Sequence, residues 1–326
     1  MHPGLASVNA SDRVVPTVTG STLRPGGAVR LDGHAYAWTA PPSLAAEPLP
    51  ALNDERLLGT GLTRFAATAA PHRAALLDCQ APGSGRDAAA LARVSRASGV
   101  AIAALTGFHR NRAYPLGLRP WTTVDAALAT FLRELEGGFR EAPMARAAGL
   151  VAAFTGIVED GDPCWEAAVE ACRATGALLV VHTDAGSGIE DLVPWLATRD
   201  VPLDRVYLLG SDRRGDAGLL VELARAGVLL GVGASLRGDA SVASLERLLA
   251  EGLGDALAAG LGLTAPEQWR DGVGPDAPGG PAALVAVLER RVRELGAAED
   301  DVEALMGGSL LARLARPEVA LAARPV

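Results

Sequence analysis

The sequence predicts a closed (β/α)8 barrel, the TIM-barrel form of the α/β class. Three observations carry the prediction. Short apolar runs rich in Val, Ile, Leu and Ala alternate eight times with amphipathic helical stretches. The connections between them are of ordinary length, apart from one long excursion near the start. The turn after the first run, GHAYAW, is not the glycine-rich phosphate turn that a doubly wound open sheet would carry. With 326 residues, the chain is long enough to fill one such barrel with a full core.

Taken in order, residues 1–26 are polar and rich in Pro and Gly, and read as an N-terminal arm to a single barrel domain over 27–326. The first strand lies within 27–38 and ends in His34, Ala35 and Tyr36. Residues 39–72 form a Pro-rich excursion with one short helix around Asn53–Leu58. The alternation then sets in, with strands at Arg73–Cys79, Gly99–Thr106, Gly149–Thr155, 177–182, Arg205–Leu209, Gly227–Gly233 and a weak, Gly- and Ala-rich Ala256–Thr264. Helices are expected at Arg86–Ser98, Val124–Arg140, Pro163–Thr175, Ile189–Thr198, Asp216–Ala226, Ser241–Glu251 and Pro281–Leu295, with two short helices to finish.

Composition narrows the function classes. Hydrophobic residues make up 49% of the chain and aromatics only 4%, so the core is built from Ala, Leu and Val. All 30 basic residues are arginine. The absence of lysine excludes a carboxylated-lysine metal bridge, a Schiff base and a P-loop. A net charge of −8 without a long basic run argues against nucleic acid or an anionic membrane as partner. Cys79, Cys164 and Cys172 are too few and scattered for a disulfide framework or zinc knuckle. No signal-like leader or membrane-length apolar run is evident, so a cytoplasmic location is expected.

In α/β barrels the chemistry sits where the strands end. The run ALLVVHTDAG at 177–186 delivers His182 to such an end, with Asp184 two residues on. With the motifs placed, the chain resembles the phosphotriesterase family of the amidohydrolase superfamily. RVSRASGVAIAALTGFH at 93–109 is similar to that family's helix, strand and "TG-aromatic" run, and TVTG at 17–20 to its opening strand. RVYLLGSD at 205–212 resembles its "RV–GHSD" run, and 301–313 its closing helix.

The resemblance implies two divalent metals held by four histidines, a carboxylated lysine and an aspartate. Carried over position by position, the first strand's His-x-His falls on His34 and Tyr36, and the fifth strand's histidine on His182. The lysine position falls on Val151 or Ala152, the sixth strand's histidine on Gly210 and the eighth strand's aspartate on Thr264. Only His34 and His182 survive. A catalytic zinc site takes three protein ligands and an open position, so no metal and no other cofactor is expected.

The remaining strand-end residues suit acid–base work, because imidazole titrates near neutrality. His182, His34 and Tyr36 are the candidate catalytic groups, with Asp184 to orient a base. The blander reading is that the histidines are relics bonded into a polar floor and that Asp184 starts an Asx turn. His109, Arg110 and Arg112 after the third strand would suit a ligand carboxylate or phosphate. Ser211, Asp212, Thr264, Trp38 and Trp269 complete the candidate mouth. One of Arg213 and Arg214 is expected to pair with Asp212 or Asp216. The resulting expectation is a metal-independent enzyme of lyase, isomerase or cyclisation type acting on a small molecule. Its alternatives are a non-catalytic ligand-binding pseudoenzyme and a single-metal ester or lactone hydrolase. By resemblance, a homodimer is plausible.

Overall fold

The computed structural model describes residues 12–47, 50–233, 239–263, 266–269 and 280–317. In chain order, β1 (Arg13–Pro16) and β2 (Thr22–Leu23) precede β3 (Val29–Ala35), α1 (Glu55–Ala69), β4 (Arg73–Asp78) and α2 (Ala88–Ser98). There follow β5 (Ala101–Phe108), α3 (Val124–Leu132), β6 (Gly149–Ala153), α4 (Pro163–Thr175), β7 (Leu178–His182) and α5 (Ile189–Ala197). The chain continues with β8 (Val206–Leu209), α6 (Ala217–Arg225), β9 (Leu229–Val232), α7 (Asp239–Ala250) and β10 (Leu257–Ala259). It ends in α8 (Gly280–Glu294), α9 (Glu299–Glu303), α10 (Ser309–Leu314) and β11 (Arg316–Pro317).

Strands β3 to β10 form one eight-stranded sheet in sequence order, and every pairing within it is parallel. This is the expected (β/α)8 barrel. Its seam falls between β3 and the segment after β10, because β10 has only three residues. There Ala35 bridges Leu263 in parallel, and the amides of Gly262 and Leu263 donate to the His34 carbonyl. Buried Asp32 laces the same seam, its Oδ1 accepting from the Leu261 amide at 2.8 Å and the His34 amide at 3.0 Å.

Two apolar layers hold the barrel. Alternate strand residues such as Ala103, Leu105, Val151, Val180 and Tyr207 fill the interior, and their neighbours Ile102, Ala104, Leu150 and Leu179 pack on the helices. Helix starts follow from sequence. Asp54, Asp87, Asp162 and Asp216 each accept a hydrogen bond from a first-turn amide of α1, α2, α4 and α6. Gly99 and Gly176 end α2 and α4 in the left-handed conformation that a Cβ would strain. Among the described residues, no helix is long and apolar enough to cross a membrane.

Four departures from the sequence reading matter. The short helix expected around Asn53–Leu58 is α1, fifteen residues long, because Leu58, Leu62, Phe65 and Ala69 continue an apolar stripe toward the barrel. The third barrel strand runs on to Phe108, so His109 is a strand-end residue and not a loop residue. The helix expected to reach Arg140 gives way after Leu132 to a π-helical turn at Arg133–Gly137. The described part of the arm is not loose. β1 pairs antiparallel with both β2 and β11, and Val15 and Leu23 join Leu310, Leu311 and Leu314 in the interior core. Val18 donates its amide to the carbonyl of Ile102, near the start of β5, so this small sheet covers the N-terminal end of the barrel.

Candidate active site

Three strand ends bring His34, Tyr36, His109 and His182 together. The His34 and His182 rings meet edge to face with centroids 4.8 Å apart. Tyr36 Oη lies 3.1 Å from His109 Nε2 and 3.1 Å from His182 Nδ1. His109 is fixed from behind, its amide donating to Tyr114 Oη at 2.9 Å.

The hydrogen bonds order the protons. The Arg110 amide donates to His109 Nδ1 at 2.9 Å, so a neutral His109 carries its proton on Nε2. That N–H donates to Tyr36 Oη, whose own hydrogen is then left for His182 Nδ1. His182 consequently holds its proton on Nε2, the nitrogen that this chain does not use. His34 Nε2 is buried and has no partner among the described residues.

Burial sets the charge states. It lowers His109 to about 3 and His182 to about 4, helped by Arg110 on both, by Arg112 on His109 and by Arg213 on His182. His34 is held well below the ordinary imidazole value, chiefly by burial and then by His182, Arg213 and His109. Burial also raises the Tyr36 phenol well above its usual value, with Cys79 and Asp78 acting in the same sense. At neutral pH the cluster is thus uncharged and ringed by guanidinium groups.

The other candidates scatter. Asp184 makes no hydrogen bond to His182, whose Nδ1 meets Tyr36 Oη instead, and acts on it only through its charge. Its side chain is 70% exposed and stands 3.9 Å from Arg110 Nη2. Trp38 and Trp269 do not wall the mouth. Both are buried in the layer between barrel and helices, where the Trp269 ring backs onto Gly61 of α1. Ser211 is buried and donates to the Leu208 carbonyl at 3.1 Å, while Asp212 accepts from the Gly233 amide at 3.2 Å. Thr264, and Arg270 beside Trp269, lie outside the described residues. Arg110 and Arg112 do reach a cleft of about 370 Å³ beside His109, which Arg119, Asp162 and Trp165 also line. Sequence reasoning missed Arg119, which pairs with Asp162 at 2.5 Å across that cleft. It also missed the placing of Arg213, whose Nη2 lies 2.8 Å from where a Cβ on Gly210 would stand. The expected pairing of the tandem arginines is different too. Arg214 goes to Glu190 at 2.6 Å, and Arg213 makes no ion pair with a described residue.

The donor set does not fit the metal centre that the resemblance implies. Among the described residues, no three His, Cys, Asp or Glu side chains converge to hold a metal ion. Val151, at one of the two positions where the bridging lysine would fall, is a buried interior residue, and Ala152 is buried in the outer layer. Tyr36 replaces an imidazole with a phenol that burial keeps protonated. A guanidinium, itself cationic, stands over Gly210.

Comparison with known proteins agrees with the fold and brings in the family. The family model described as the phosphotriesterase family matches residues 47–257, more than half of the chain. No curated protein matches it in sequence. Among solved structures, a lactonase from Listeria monocytogenes aligns with TM-score 0.77 and 18% identity, covering 94% of this chain and 100% of that one. An amidohydrolase from Mycoplasma synoviae aligns with TM-score 0.79 and 16% identity, covering 94% and 93%. The phosphotriesterase homology protein from Escherichia coli, solved with phosphate in its active site, aligns with TM-score 0.72 and 17% identity over 87% and 97%.

Proposed function

The chain belongs to the phosphotriesterase family, and we propose that it is a metal-independent enzyme performing acid–base chemistry on a small molecule. One observation carries the reading: Tyr36 Oη bonded to both His109 Nε2 and His182 Nδ1, each at 3.1 Å. In this scheme His34 Nε2 accepts a proton from one substrate atom and the imidazolium so formed returns it to another, while the His182 Nε2–H donates a hydrogen bond to the charge that develops on the substrate. Tyr36 and His109 are positioning residues that hold the His182 tautomer. A proton that leaves one substrate atom for His34 and returns from it to another balances an isomerisation, an elimination or a cyclisation and leaves both histidines neutral as they began. Neutral imidazoles of low basicity need help to accept a proton. An anionic group near Arg213 would offset a charge that depresses both His34 and His182 and raise their pKa.

The test is proton NMR in D2O with chelator-treated protein and a panel of small carboxylates, keto acids, lactones and phosphate esters. Deuterium uptake or turnover without added metal is expected, falling by roughly 10²–10⁴-fold in Tyr36→Phe and His182→Ala. Turnover that appears only on adding zinc, manganese or cobalt would instead mark a single-metal hydrolase. Binding without any turnover would mark a ligand-binding protein. Either result overturns the proposal.

A further inference from the structure

Among the described residues, every arginine at the barrel mouth but one meets a carboxylate. Arg112 pairs with Glu47 at 2.6 Å, Arg119 with Asp162 at 2.5 Å, Arg214 with Glu190 at 2.6 Å, and Arg110 approaches Asp184 at 3.9 Å. Arg213 makes no ion pair or side-chain hydrogen bond with a described residue. Its neighbour Asp212 accepts from the Gly233 amide and acts on Arg213 only through its charge, without an ion pair. Instead the guanidinium folds back over Gly210, whose φ of +76° and missing side chain make room for it. Thr183 Oγ1 lies 3.5 Å from the same point, one residue beyond the end of β7. Arg213 is close enough there to depress both His34 and His182. Beside it His34 Nε2 is buried without a described partner, a costly state unless a ligand supplies one.

We propose that Arg213, folded over Gly210 next to the strand end that carries His182, binds the oxyanion of the substrate, a carboxylate or a phosphate on a small molecule. The planar guanidinium offers paired N–H donors to such a group, and His34 Nε2 stays unprotonated to take the substrate's proton. Binding offsets a cation that depresses His34 and His182 and fixes the substrate end on, beside the proton-moving atoms. The inference rests on the acid–base reading for the identity of the site, but anion binding is measured without turnover and fails separately.

The experiment is isothermal titration of chelator-treated full-length protein with inorganic phosphate and, separately, with malonate. At least one should bind, more weakly at high salt, and Arg213→Gln should weaken it tenfold or more. Arg213→Lys should recover part of the loss. Arg214→Gln, which removes a paired surface arginine, should leave binding unchanged. Phosphate binding without malonate binding would assign a phosphate, and the converse a carboxylate. No binding by the wild type, or equal binding by Arg213→Gln with its circular dichroism intact, overturns the inference. If binding follows Arg213 but no turnover is ever found, the oxyanion site stands and the enzymatic reading falls. If turnover is insensitive to Arg213→Gln, the enzymatic reading stands and the oxyanion site falls.

Discussion

Near the start of β3, Arg30 is buried and gives its guanidinium to both oxygens of Glu303, at 2.8 and 2.9 Å, and to Glu289 at 3.0 Å. At the other end of the barrel, Arg213 extends over Gly210 with no such carboxylate among the described residues. The same contrast holds for the surroundings. The N-terminal end is plugged by β1, β2, β11 and the leucines of α10, and although Ser309 Oγ and Arg316 Nε there have no partner among the described residues, its buried Arg30 is matched by two carboxylates. Among the described residues, the C-terminal end keeps three histidines at low basicity, an imidazole nitrogen without a partner and an arginine without an ion pair. One end is built to close and the other to receive, and substitutions at the two should fail in different assays.

The largest effect is expected at the mouth. Tyr36→Phe keeps the ring and its packing but breaks the chain between His109 and His182. Turnover should fall by ~10²–10⁴-fold while the denaturation midpoint barely moves. A loss of stability as large as the loss of rate would show that the hydroxyl is a structural element, and the contrast between the ends would collapse. At the plug, Leu310→Ala should cost ~2–5 kcal/mol in urea denaturation and leave oxyanion binding by the residual folded protein unaltered.

A third effect lies in pH. Asp78 ends β4 fully buried, accepting from the amides of Ala37 at 2.6 Å and Gln80 at 3.2 Å. Burial raises it to about 7, against the pull of those bonds and of Arg86, and Asp32 is raised to about 7 in the same way. The folded protein therefore keeps protons that the unfolded chain has already lost between the ordinary carboxylate value of 3.8 and about 7. Unfolding releases them, so the two aspartates make stability fall as pH rises through that window, by up to ~1.4 kcal/mol per pH unit for each proton, while His34, His109 and His182, held neutral in the folded protein below the ordinary imidazole value of 6.5, act in the opposite sense. Relative to the wild type, Asp78→Asn should make stability rise more with pH across that window, and an unchanged slope would contradict the assignment. The smallest effect belongs to the exposed pair of Arg214 and Glu190, where Glu190→Gln should change stability by only ~0–1 kcal/mol.

The barrel itself is legible because its strands are buried on both faces and read as apolar runs between helices that aspartates cap. The short β10 is also visible as a weak strand, but not the use of Asp32 to lace the seam beside it. His34, Tyr36 and His182 are legible as strand-end residues. His109 stands out for its neighbouring arginines, but its bond to Tyr36 is hidden from a reading that ends the strand at Thr106 when β5 runs on to Phe108. Asp184 is favoured by sequence proximity to His182, yet the chain turns after Thr183, whose Oγ1 bonds the Leu209 carbonyl and the Gly186 amide. The tryptophans mislead for a different reason. A large ring suits a ligand wall and a helix–barrel interface equally well, and only the packing of α1 decides between them. Arg213 cannot be chosen over Arg214 from sequence, since the choice depends on the left-handed turn at Gly210.

The direction of the hydrogen-bond chain begins at the peptide N–H of Arg110. Because that donor is main chain, exchanging the Arg110 side chain for any residue except proline leaves it in place. The hydrogen on the outward nitrogen of His182 is thus inherited from the polypeptide backbone. The loop after β5 is free to change its side chains for new ligands without reversing the polarity of the machinery beneath.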